Sequence, residues 1–522
     1  MNNRVIQLII FAIVAVPLGL LTGQWVATDP TSAIMVGIGA AGVTIILVFG
    51  KNIWLLVPFF LPFTAALRVV PGGFALRDLM TGFVVLIMLG HVATRRVKLR
   101  FSFGVVEWVL VAICLFVLQA YVRNPVGFAA TGSNMVGGRP YFEMGVSVSC
   151  FILLSTVRVP VRMVNVAAVT SILGGLASAV LSAITFAIPA VGNQIARVYA
   201  VVGTGVFGVQ EGTGTSIRRL HFMKDFVAPC TNGLLAKYSP LQLFSPRHPL
   251  VVLATLFTMA SALLSGYRAT VLWIGVMVVA ACLVRRKYRD LMGMIVGGTM
   301  LVGVLVLAQG NAFSLPRILQ RSLSFLPGNW DSAVKQDAEA STEWRLVMWR
   351  LALKTDRYIH NKILGDGFGV SRHELMSQIQ MWRAGRVTDE AEQDYYMKTG
   401  GYHSGPIESI RRVGYVGLAC LLVCQVFMAR FAWRIVNRTR GSPYFFAAMV
   451  FGLPLIVHPF EFVFIFGTFK DSVSLICING GFLRMLANGL ATIQVTAQAP
   501  AGPATVVQGL PIPLAATGRV SR

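Results

Sequence analysis

The chain has 522 residues, 55% hydrophobic and only 13% charged, with a formal net charge of +24. That balance excludes a soluble globular domain of this size, and the absence of short alternating segments excludes a transmembrane β-barrel. Apolar runs of about 17–25 residues recur instead, the length a helix needs to cross hydrocarbon about 30 Å thick. The expected fold is all-α: a polytopic helical membrane protein of about 12–14 transmembrane helices.

In chain order, spans are predicted near 5–27, 33–50, 53–70, 77–93, 104–122, 144–157 and 163–190. The first follows a single arginine and lacks a small-residue cleavage signal, so it reads as a spanning helix and not a removed leader. The cations lie in short tracts between runs, such as Arg95-Arg96-Val97-Lys98 and Arg285-Arg286-Lys287. That is the positive-inside pattern, not the basic face of a nucleic-acid binder. With the N-terminus inside, Lys51, the 95–100 tract and Arg158/Arg162 all fall on the cytoplasmic side.

Clear runs follow at 250–266, 269–285 and 290–309. Parity then requires one inward span between 190 and 247. The best candidate is 226–244, although it carries Pro229, Asn232, Lys237 and Pro240. A span that polar lines a protein interior or a wet cavity. Residues 310–412 form a long polar stretch on the outer side, holding more than half of the chain's 21 acidic residues. A helix is predicted there from Ser341-Thr342-Glu343 through Leu353. Spans near 413–435, 443–468 and 471–490 come next. The layout is therefore membrane helices with outer-face arginines over 1–309, an extracytoplasmic helical loop over 310–412, C-terminal membrane helices over 413–492, and a disordered cytoplasmic tail over 493–522. The seven cysteines lie mostly in apolar runs without a CxxC pair, as small packing residues do.

Three polar clusters fall on the outer face: Ser216 to His221, Ser265 to Thr270, and the stretch beginning at His403. Arg268 stands at an outer turn, against the positive-inside trend, and opens a helix. A guanidinium beside free helix N–H groups makes an anion site, while the plainer reading is a snorkelling arginine. Arg218 and Arg219 pose the same choice. His403 brings a base of near-neutral pKa to a membrane surface. Glu408 either orients it or favours a helix N-terminus. Gly414 and Gly417 let the outgoing helix pack closely or let a substrate reach the backbone. Trp344-Arg345 and Trp349-Arg350 read as one face of a helix resting on the membrane domain. Leu364-Gly365-Asp366-Gly367 reads as a tight turn, since a phosphate loop would carry a lysine-serine pair. Asp389, Glu390, Glu392 and Asp394, lacking a nearby His/Cys set, read as a solvated face and not a metal site.

Over roughly 210–435 these features resemble the O-antigen ligase and O-antigen polymerase superfamily of bacterial envelope enzymes. The ligase signature is His, then Asn/Ser/Gln, nine residues, Gly, two residues, Gly; His403, Ser404, Gly414 and Gly417 match it. Ser265 to Arg268 resembles the family's Ser-Arg turn, with Tyr267 standing where serine is usual. Arg218 or Arg219 resembles its earlier outer arginine. Arg345, Trp349 and Leu364-Gly365-Asp366-Gly367 resemble the segment ahead of its histidine. The resemblance implies a glycosyltransferase of the inner membrane, facing the periplasm. It implies a donor glycan on undecaprenyl diphosphate and an acceptor that is lipid A-core in a ligase or another lipid-linked glycan in a polymerase. It further implies diphosphate binding by Arg268 with Arg218 or Arg219, proton removal by His403, inversion at the anomeric carbon, and no metal or other cofactor. A transporter or lipid flippase is the alternative from another class, though no internal repeat supports it. A reporter fused near residue 390 is expected to read extracytoplasmic; a cytoplasmic signal would break this arrangement.

Overall fold

The computed structural model describes residues 44–67, 74–97, 103–126, 136–200, 219–369 and 389–498. The predicted first span, most of the second, Arg218 and the tail beyond 498 lie outside the described residues. Within them the chain is helical, apart from two short strands, β1 (Ala66–Leu67) and β2 (Tyr199–Ala200), paired antiparallel. Eight helices are long and apolar enough to cross a membrane. The protein is an all-α, multi-pass membrane protein.

The first half contains α1 (Leu56–Phe60), α2 (Leu76–Ala93), α3 (Val105–Arg123), α4 (Gly138–Thr156), α5 (Val161–Ala187), α6 (Pro189–Val198) and α7 (Met223–Lys237). Then come α8 (Pro249–Leu264), α9 (Arg268–Arg285) and α10 (Tyr288–Ala308). The long polar segment supplies α11 (Arg317–Leu323), α12 (Ser332–Lys354) and α13 (Asp389–Thr399). The chain closes with α14 (Gly405–Thr439), α15 (Phe445–Phe460), a π turn over Glu461–Ile465, and α16 (Phe469–Gln498).

Several boundaries differ from the sequence expectation. The predicted span 53–70 is not one helix: Pro62 follows α1, the chain turns, and Ala66–Leu67 pair with residues 199–200. The predicted span 226–244 is a 15-residue helix, α7, followed by a separate 3-10 turn over Pro240–Phe244. It packs among α5, α8 and α15, the interior position its polarity suggested. The loop helix α12 starts at Ser332, well before Ser341, because Asp331 caps it by accepting the Ala333 N–H at 2.8 Å. Thr342 lies inside that helix and turns its hydroxyl back to the Ala338 carbonyl, 2.9 Å away.

Glycines set the closest approaches between helices, as small residues do in membrane bundles. Gly174 meets the Phe59 backbone and Gly175 meets Pro229, so α5 holds both α1 and α7. Gly480 and Gly481 bring α16 against Met428 of α14 and Leu154 of α4. The helix α4 is buried on most sides and is the centre of the bundle. In contrast, α10 buries no residue fully and lies at its edge.

Hydrogen bonds group the helix ends. At one end, Arg285 donates to the carbonyls of Leu235 and Ala236 (2.7 and 2.9 Å), and Asn165 donates to Pro443 (2.8 Å). At the other, a buried charge network joins α2, α4 and α16: Arg77 pairs with Asp78 at 3.0 Å, Arg139 with Glu143 at 2.7 Å, and Lys470 with Glu143 at 2.5 Å. Charges this deep persist only when paired. The second end carries the polar segment that holds α11 to α13. There, α14 is broken at Gly414, whose φ is 73°. Main-chain groups freed by the break dock the 362–367 turn: Asp366 N–H donates to Arg411 O at 2.6 Å, Gly367 N–H to Arg412 O at 3.1 Å, and Tyr415 N–H to Lys362 O at 2.8 Å. Gly365 has a φ of 76°, and a Cβ there would run into the Val413 and Gly414 backbone. Gly365→Ala is therefore expected to cost more than about 2 kcal/mol, seen as a lower unfolding midpoint of the detergent-purified protein. Gly297→Ala, in open space, is expected to leave the midpoint unchanged.

Candidate functional site

The turn between α8 and α9 is built from its own side chains. Ser265 Oγ donates to the Ala262 carbonyl at 2.6 Å and accepts the Tyr267 N–H at 3.3 Å. Gly266, with φ 72°, completes the reversal, and its carbonyl accepts from Arg321 Nη1 of α11 at 2.8 Å. Arg268 then opens α9, its guanidinium leaning toward α12, where Ala338 O is 3.5 Å away. Arg219 lies against the same turn, 5.4 Å over the Tyr267 ring, and Lys224 takes a like position at 5.4 Å. The Tyr267 hydroxyl meets His221 Nδ1 at 2.5 Å.

His403 is fixed by its neighbours on the chain and by rings around it. Its φ of 51° places it in the left-handed region, an uncommon conformation for a residue with a side chain and one found at functional sites. Tyr402, fully buried, is held by Trp349, whose Nε1 donates to its carbonyl at 2.7 Å. The imidazole packs among Tyr396, Trp344 and Phe466, with ring centroids 5.5, 5.8 and 6.2 Å away. Among the described residues, neither imidazole nitrogen has a hydrogen-bond partner.

Arg345 connects the two parts. Its Nε is buried without a hydrogen-bond partner. Burial first, then the charges of Arg219 and Arg321, pulls its guanidinium below the ordinary value. Arg321 is lowered by burial and by Arg219 and Arg268, against the opposing effect of Asp337, its 2.6 Å ion-pair partner. His221 is lowered by burial and by Lys224, Arg219 and Arg321. His403 is pushed down to about 4 by burial and then by Arg345. Arg219, Arg268, Arg321 and Arg345 therefore share one electrostatic neighbourhood with a neutral imidazole at its edge. Among the described residues, Asp337 is the only carboxylate that the ion pairs bring into it.

The structure thus brings together four residues singled out in the sequence: Arg219, Arg268, Arg345 and His403. Trp349 acts on the backbone beside the histidine. Glu408 is placed elsewhere: its carboxylate accepts from Arg412 Nε at 3.3 Å and from the Phe469 N–H at 3.2 Å, so it braces α14 against α16 and does not orient His403. Gly414 and Gly417 serve backbone packing, and Asp366 closes its turn by accepting the N–H groups of His360 and Asn361 at 2.7 and 3.0 Å. Sequence reasoning missed Arg321, Tyr396 and Phe466. The Tyr395-Tyr396 pair was the one visible signal. Among the described residues, no three His, Cys, Asp or Glu side chains gather as a metal site requires. No protein-family model matches the chain, and no curated protein matches it.

The displaced histidine has a consequence for stability. Its ordinary value of 6.5 falls to about 4 on folding. Between those values the unfolded chain binds more protons, so the contribution is present above pH 6.5 and drains away as pH falls toward 4. Arg345→Ala is expected to raise the His403 titration midpoint in imidazole NMR; an unmoved midpoint would remove Arg345 from this electrostatic pairing.

Proposed function

We propose that the chain is a glycosyltransferase of the bacterial inner membrane, acting at its periplasmic face, that moves a glycan from undecaprenyl diphosphate to a hydroxyl acceptor, as the O-antigen ligases it resembles do. The observation that carries this reading is a cluster of under-bonded guanidiniums in which Arg345 lies next to an imidazole that has no hydrogen-bond partner among the described residues. Arg345 and Arg219 have no hydrogen-bonded carboxylate among the described residues, and Arg268 has one long contact to a carbonyl. Bidentate, permanently charged groups left open in this way suit a diphosphate.

In the proposed reaction Arg268, Arg219 and Arg345 hold the diphosphate. The acceptor hydroxyl oxygen attacks the anomeric carbon from the opposite face, and the hydroxyl proton passes to His403. The bond from the anomeric carbon to the diphosphate oxygen breaks, and the oxygen keeps the electron pair. The configuration inverts through a transition state of oxocarbenium character. The arginines stabilise the negative charge growing on the leaving group. The low value of His403 keeps it neutral and able to accept a proton at physiological pH. A bound diphosphate offsets the charge of Arg345, which strengthens the imidazole as a base only once the donor is in place.

His403→Ala and Arg268→Ala are each expected to lower glycan transfer at least about 100-fold while the protein still reaches the membrane. Wild-type transfer by both variants would remove this assignment. Gene deletion separates the acceptor classes on a surface-glycan gel. Loss of the whole lipid A-linked ladder with accumulation of lipid-linked polymer marks a ligase, and a single-repeat band marks a polymerase.

A further inference from the structure

We infer that Trp344, Tyr396 and Phe466 form an aromatic enclosure that seats the pyranose ring of the acceptor against His403. This rests on the glycosyltransferase reading and adds where, and by what chemistry, the acceptor sugar is held. The three rings come from separate elements: α12, α13, and the extended residue that follows the π turn. All three centroids lie within 6.2 Å of the imidazole, and Trp344 meets Tyr396 edge-on at 5.7 Å. Phe466 remains 47% exposed although its N–H is fixed to the Glu461 carbonyl at 2.9 Å. Trp344 and Tyr396 rest in part on the cluster of Met348, Ile359 and Tyr402, while Phe466 leaves an aromatic face open beside the imidazole.

The chemistry of a pyranose fits this arrangement. Its C–H faces are apolar and stack on aromatic rings, while its rim of hydroxyls needs hydrogen-bond partners. The enclosure supplies faces and the imidazole supplies an acceptor nitrogen. Because His403 is held by packing alone among the described residues, both nitrogens remain available to a hydroxyl. Trp344 directly precedes Arg345, and successive helical side chains diverge by about 100°. One turn of α12 thus presents a stacking surface for the acceptor sugar and, beside it, a cation for the donor diphosphate.

The test varies acceptor concentration at fixed donor, using rough-type lipopolysaccharide as acceptor and an undecaprenyl-diphosphate glycan as donor. Trp344→Ala and Phe466→Ala are expected to raise the acceptor KM about tenfold, with donor KM unchanged. Trp344→Phe is expected to restore the acceptor KM. An unchanged acceptor KM with only kcat reduced would mean that the rings merely hold the imidazole, which overturns the inference and leaves the glycosyltransferase reading standing. Calorimetric binding of the isolated core oligosaccharide to the purified protein gives an independent readout. Binding by wild type and Trp344→Phe that is lost in Phe466→Ala supports the enclosure even if no transfer occurs, a result that would sink the reaction alone. Absence of binding by wild type overturns the enclosure.

Discussion

The arrangement of the candidate site depends on one break in a helix. At Gly414 the backbone leaves helical geometry, and the neighbouring carbonyls and N–H groups turn to the 362–367 turn in place of their own helix. Arg412 reinforces the joint from within the protein. It is fully buried, stacks 4.3 Å over Phe368, and donates to Gly367 O and Thr399 O at 3.3 and 2.8 Å. Thr399 ends α13, four residues before His403, so the same side chain that secures the turn sets where the histidine loop starts. Arg123 at the end of α3 and Asn124 just beyond it also grip the turn, through the carbonyls of Gly365 and Asp366 at 2.5 and 3.0 Å.

Charge explains the second half of the site. Four guanidiniums in partly desolvated surroundings repel one another, and each charge buried without a partner raises the free energy of the folded state. Three of them, Arg219, Arg268 and Arg345, are relieved by protein groups only in small part among the described residues. Arg321 differs, since it is matched by Asp337 and by the Gly266 carbonyl. It therefore fastens α11 and α12 to the α8–α9 turn, while Arg219, Arg268 and Arg345 retain bonding capacity among the described residues. The buried Arg77, Arg139 and Lys470 at the same end differ, since each has an ion-pair partner in Asp78 or Glu143.

Most of the fold was legible because hydrophobic length is a direct signal for membrane helices. Helices α2, α3, α5, α9 and α10 begin and end within a few residues of the expected positions. The failures have identifiable causes. Pro62 ended a run that hydropathy alone would continue, and Asp331 started a helix that the sequence pattern placed later. In the candidate site, the arginines and the histidine were legible as polar residues at the ends of apolar runs. Glu408 left two readings open, because proximity in sequence suggested a pairing with His403 as readily as a helix N-terminus; it lies in the first turn of α14 and pairs with Arg412 one turn on. Phe466 was invisible for a different reason: an aromatic residue at the end of an apolar run looks like any lipid-facing side chain until the fold brings it to the imidazole.

The joint at Gly414 is made by peptide groups, and every residue type except proline has both a donor and an acceptor there. Shape complementarity at that seam consequently tolerates wide variation at Lys362 and Ile363, whose side chains do not make the docking bonds, and it pins the glycines whose missing side chains leave room for two backbones to touch. A molecule assembled in this manner conserves its geometry in the places where its composition says least.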